Sequence, residues 1–123
     1  MPRVIHFEIP ADNTQRAVKF FQDVFGWKFN QWEGPMEYWL AMTGPDGQPG
    51  INGAIAKRDE NMPHTTNTLD VPDVEAYMEK VKKGGGKVVS PQKMPIPGVG
   101  YFAYCLDTEG NLFGIMQNDP NVK

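Results

Sequence analysis

Val4-Ile5-His6-Phe7-Glu8-Ile9-Pro10-Ala11-Asp12 and, some sixty residues later, Thr65-Thr66-Asn67-Thr68-Leu69-Asp70-Val71-Pro72-Asp73 decide the fold, because they are two versions of one phrase. Each is a short strand-like run that closes on a Pro and an Asp, and an amphipathic helical pattern follows at once. Further on, Ile51-Asn52-Gly53-Ala54-Ile55 and Leu112-Phe113-Gly114-Ile115-Met116 form a second matched pair at a similar offset. Self-similarity at a fixed period is the first thing to look for in a chain. Two copies with so long a period do not make a solenoid. They make one supersecondary unit used twice.

Working outward, the first helix is expected to begin at Asp12 as its cap, with Gln15 completing a capping box. Ala17, Val18, Phe21, Val24 and Phe25 recur at helical spacing and predict one buried face, and Gly26 supplies the left-handed stop. The second helix repeats the plan: Asp73 as cap, then Val74, Tyr77, Met78 and Val81 as a stripe, then Gly84-Gly85-Gly86. That triplet follows a helix and precedes a strand, the wrong order for a phosphate cradle. Strands are expected at Trp27–Phe29, Tyr38–Met42 and Ile51–Lys57, then at Lys87–Val89, Tyr101–Leu106 and Leu112–Gln117. The runs Gly44-Pro45-Asp46-Gly47 and Asp107-Thr108-Glu109-Gly110-Asn111 read as hairpin turns, and the segments 31–37 and 91–100 as loops. Each half is thus strand, helix, three strands. The expectation is a single domain over residues 1–123, with one module at about 1–60 and the other at about 61–123, joined through the polar segment 59–63.

Composition narrows the function classes. With 123 residues, 40% apolar and 22% charged, the chain suits one soluble domain with a core that needs no staples. A net charge of −3 argues against a nucleic-acid or anionic membrane surface, both of which want a basic patch. Cys105 is the single cysteine, so no intrachain disulfide forms, and it reads as a packed thiol rather than a nucleophile. Met1-Pro2-Arg3-Val4 reads as the start of a strand and not as a signal peptide, and no apolar run reaches membrane-spanning length. A cytoplasmic protein is the expectation.

The doubled unit, together with the His6 to Asp12 opening, the Phe20 to Trp27 helix end and the Asp107 to Asn111 turn, resembles the vicinal oxygen chelate superfamily, which includes glyoxalase I, bleomycin-resistance and extradiol dioxygenase proteins. The resemblance spans nearly the whole chain and implies an α+β fold: two βαβββ modules forming a curved, cup-like mixed sheet with the helices outside. It also implies a homodimer, as is usual for relatives of this size. In metal-dependent members the ligands come from the first and last strands of each half. Carried onto this chain, those positions fall on His6, Gly53, Asn67 and Gly114, with His6 matched to Asn67 and Gly53 to Gly114. Of these only His6 is a good donor, so no metal centre is expected. The resemblance then implies a pocket of the bleomycin-resistance kind, binding a small molecule without a cofactor. The alternative is a metal-dependent lyase, isomerase or dioxygenase, related to lactoylglutathione lyase or to the dioxygenases, with a divalent cation.

The candidate site residues follow. His6 and Glu8 share strand parity and are the best acid-base candidates. His6, Gly53, Asn67, Tyr101 and Gly114 are the ligand-binding candidates, the glycines because they leave room, and no residue is assigned to a metal. Tyr38, Trp39, Tyr101, Phe102 and Tyr104 could supply aromatic walls. Alternation separates Tyr101, Ala103 and Cys105 from Phe102 and Tyr104, without saying which set faces a ligand.

Overall fold

Both versions of the phrase become a strand followed by a capped helix in the computed structural model, which describes residues 2–123; Met1 lies outside the described residues. The described residues form an α+β fold with two helices and nine strands. Their contacts group into two compact units, His6–Thr66 on one side and Asn67–Lys123 with the residues up to Ile5 on the other.

In the first unit the order is β1 (Val4–Ala11), α1 (Thr14–Phe25), β2 (Lys28–Gln31), β3 (Tyr38–Met42) and β4 (Gly53–Lys57). The strands lie side by side as β2-β3-β4-β1, with β1 parallel to β4 and the other pairs antiparallel. A crossover helix is what a parallel pair needs, and α1 belongs to that crossover. It packs Val18, Ala17 and Phe21 against Ile9, Ala11, Phe29, Trp39 and Ile55. Two expectations fail here. The cap is Asn13, whose side chain accepts from the Arg16 backbone N–H at 3.0 Å, while Asp12 takes the Arg58 guanidinium at 3.0 Å instead. The buried stripe is also shorter than expected: only Ala17, Val18 and Phe21 of the stripe pack into the core, while Val24 and Phe25 are 57% and 60% exposed. Gly26 does close the helix at φ 72°, its N–H reaching the Gln22 carbonyl.

In the second unit β5 (Thr66–Asp70), α2 (Val74–Lys83), β6 (Lys87–Val88), β7 (Met94–Ile96), β8 (Gly100–Leu106) and β9 (Leu112–Asn118) follow in turn. The strand order is β5-β9-β8-β6, with β5 parallel to β9, and β7 also pairs with β8. Asp73 caps α2 as expected, accepting from Ala76 N–H at 3.1 Å. Val74, Tyr77, Met78 and Val81 pack with Val71, Leu69, Ala103, Cys105 and Ile115. β7 was expected to be loop. Among the described residues β7 pairs with β8 alone, and such an edge strand is where a proline such as Pro95 is tolerated.

The two copies match at an offset of 60, not 61. Asn13 and Asp73 are both caps, Ile55 and Ile115 both sit in a helix-side core, and the pair Phe7–Gly53 corresponds to Asn67–Phe113. The counterpart of His6 is therefore Thr66 rather than Asn67, and that of Gly114 is Ala54 rather than Gly53. One residue matters because it turns every side chain to the other face.

Candidate functional site

Strand alternation divides the strands of the first unit cleanly. Phe7, Ile9 and Ala11 of β1, Gly53 and Ile55 of β4, and Trp39 and Ala41 of β3 point toward α1. His6, Glu8 and Pro10, with Ala54 and Ala56 and with Tyr38, Leu40 and Met42, form the face turned away from it. Small residues on β4 keep that face low between its two walls. Across β4, His6 Nε2 on β1 lies 2.8 Å from the Tyr38 hydroxyl on β3, and the two rings are stacked at 14°. Trp32 meets Tyr38 edge to face at 5.8 Å, and its ring lies where a side chain on Gly34 would be. Glu8, 5% exposed, is two residues along from His6. Leu40 and Met42 add apolar surface, each 39% exposed.

The electrostatics favour a neutral imidazole. Burial lowers the His6 pKa from its ordinary 6.5, and the Glu8 charge opposes that without overcoming it. A neutral ring has one donor nitrogen and one acceptor nitrogen, so the Tyr38 phenol and His6 share one proton between them and leave the other ring nitrogen for a further partner. This is a hydrogen-bonded pair. A polar hollow of about 160 Å³ in the same unit, within the β3–β4 turn from Thr43 to Gly50 and Asn52, shares no residue with it.

The other candidates fall elsewhere. Gly53 does not leave room for a ligand: it lies on the α1 side, where a side chain would stand 2.5 Å from the Phe7 ring. Asn67 is exposed and has the parity of Leu69 and Ile115, the α2 side. Tyr101 also packs on the α2 side, with the Lys93 ammonium 4.1 Å above its ring, so Phe102 and Tyr104 are the aromatics on the opposite face. Gly114 is on that opposite face, paired with Thr68 and Tyr104. Trp39 is in the α1-side core and is not a wall. Cys105 is fully buried in the α2-side core, where burial pushes its thiol pKa up. Sequence reading overlooked Trp32 and Thr68; alternation from a correctly placed β5 would have marked the second.

The donor set does not fit the metal centre that the resemblance implies. With the corrected offset, the family's other three ligand positions fall on Ala54, Thr66 and Gly114, none of which offers an imidazole, thiolate or carboxylate. Among the described residues no three His, Cys, Asp or Glu side chains come together.

Comparison with known proteins accounts for this architecture. The model of the Glyoxalase/Bleomycin resistance protein/Dioxygenase superfamily matches residues 3–115. A glyoxylase-like domain-containing protein of Didymella fabae is 35% identical over 113 residues, covering 88% of each chain. The putative glyoxylase CFP32 of Mycobacterium bovis is 27% identical over 94% of this chain, which spans only 45% of that relative's length. Among solved structures, a substituted variant of Streptomyces coelicolor methylmalonyl-CoA epimerase in complex with 2-nitronate-propionyl-CoA overlays with a TM-score of 0.75 at 11% identity, covering 100% and 99% of the two chains. The Mycobacterium tuberculosis epimerase gives 0.69 at 13%, covering 95% and 88%. At these identities the overlays speak to the fold alone. The repeated strand-helix-strand unit, the matched family model and the fungal relative together make this chain a member of the glyoxalase/bleomycin resistance protein/dioxygenase superfamily.

Proposed function

We propose that the chain binds a small, mostly apolar molecule bearing a carbonyl or hydroxyl group on the face carrying His6, Glu8 and Tyr38, without a resident metal or organic cofactor. The observation that supports this most is the 2.8 Å contact between His6 and Tyr38 beside the exposed Leu40 and Met42. It is the usual composition of a ligand site: much apolar surface and a few placed polar groups. The pair suits sequestration by hydrogen bonding, and equally a mild acid-base reaction in the tautomer whose Nε2–H donates to the Tyr38 oxygen, where the bare Nδ1 takes a proton from the bound molecule and the ring becomes imidazolium. In this reading the active form is a homodimer.

The glyoxylase names of the relatives favour a second reading, a metal-dependent lyase, isomerase or dioxygenase. Elemental analysis of protein purified without chelator separates the two. The proposal expects no stoichiometric zinc, nickel, iron or manganese, and about one tightly held ion per chain would overturn it. For ligand binding, a stabilisation screen of small carbonyl and phenolic compounds comes first. His6→Ala should then weaken the best hit by roughly ten- to a hundredfold, about 1–3 kcal/mol, with the melting temperature nearly unchanged. A clear drop in melting temperature with unaltered affinity would return His6 to a structural role.

A further inference from the structure

A different observation arises within the Asn67–Lys123 unit. The Thr68 hydroxyl is buried, the residue being 2% exposed, and it has no hydrogen-bond partner among the described residues. Buried polar groups are almost always satisfied, and leaving one unpaired is destabilising, so an orphan of this kind asks for an explanation. Thr68 stands directly opposite Gly114 on the face away from α2, and Tyr104 flanks Gly114 on its other side. A methyl group placed on Gly114 would lie 3.1 Å from Thr68 Oγ1 and 2.4 Å from Phe102 Cζ. Hydroxyl and ring therefore border the same point above the glycine. The Phe102 ring in turn meets Tyr104 edge to face at 4.6 Å.

We propose that this spot is a binding site for a flat, apolar molecule with one hydrogen-bond acceptor, typically a carbonyl oxygen. The Thr68 hydroxyl donates to that oxygen, the bare Gly114 backbone lets the molecule lie close, and the Phe102 ring is displaced to stack on it. Phe102 covers the spot in the absence of ligand, holding it dry; entry exchanges an aromatic cover for an aromatic guest. Only a glycine permits this, since any side chain at position 114 would occupy the volume first. The inference rests on this unit alone, so its failure would leave the reading of His6 and Tyr38 untouched.

The test compares acetophenone with α-methylstyrene, which replaces the carbonyl oxygen by a methylene and keeps the shape. Both are titrated into the full chain and followed by the Gly114 amide resonance and, in the wild type, the Thr68 methyl resonance, with Thr68→Val and Thr68→Ser alongside read through the Gly114 amide. Acetophenone should shift both signals saturably and bind roughly tenfold tighter than its hydrocarbon analogue. Thr68→Val should abolish that preference, and Thr68→Ser should retain it. Without ligand, Thr68→Val should melt at or above the wild-type temperature, because it removes an unpaired hydroxyl and keeps the shape. The proposal is overturned if neither probe moves those signals, if the preference is missing or survives in Thr68→Val, or if Thr68→Val melts clearly lower, which would mean that the hydroxyl already had a partner.

Discussion

His6 carries a consequence for pH that can be worked out from its surroundings. In the unfolded chain its imidazole titrates near 6.5, while in the folded chain burial holds the value lower. As pH falls through 6.5 the unfolded state takes up a proton that the folded state refuses, so stability is lost, and the loss levels off below the folded value. The melting temperature should accordingly fall between pH 7 and pH 5, and His6→Gln should flatten that slope. His64 is the only other histidine and is exposed. Tyr38 belongs to the same argument. Tyr38→Phe keeps the stacked ring and removes the oxygen 2.8 Å from Nε2, so the ¹⁵N shifts of His6 should move while those of His64 stay. Unmoved His6 shifts would mean that the contact is not a hydrogen bond in solution.

The elements show what a sequence can be read for and where the reading stops. Tyr38–Met42 and the Asp73 cap were legible because each rests on local chemistry, alternation in the one and a side-chain oxygen near free backbone N–H groups in the other. The first cap was not, since Asp12 and Asn13 are adjacent and equally able; the choice depends on Arg58, forty-six residues away, which claims Asp12. Asn13→Ala should thus cost about 1 kcal/mol in chemical denaturation, and Asp12→Ala less than half of that. The face of each candidate was harder still. Both strand phrases were recognised, yet matching them by their glycines gave an offset of 61, and one step placed Asn67 and Gly53 on the wrong sides. Only the packing of Ile55 against α1 and Ile115 against α2 fixes the offset at 60. Backbone approach was likewise invisible. Gly100 has φ 155°, and a side chain there would stand 1.9 Å from the Gln117 carbonyl oxygen. Gly100→Ala should therefore cost at least about 2 kcal/mol, measured by the same denaturation, whereas the exposed Phe20→Ser on α1 should cost little.

For the molecule as a whole, two similar units with separate cores raise the matter of whether they come apart together. Melting curves that follow the three tryptophans report on Trp27, Trp32 and Trp39 and so on the His6–Thr66 unit only. The Asn67–Lys123 unit has its own built-in reporter. Cys105 is the one thiol in the chain, it is fully buried beneath α2, and its raised pKa leaves little thiolate to react. An aromatic disulfide reagent can therefore reach it only while that unit is open. At low reagent concentration the modification rate measures the population of the open form; at saturating reagent it measures the opening rate itself. Running the two optical signals in one cuvette, tryptophan emission for one core and reagent absorbance for the other, turns a single sulfur atom into a clock for half of the protein.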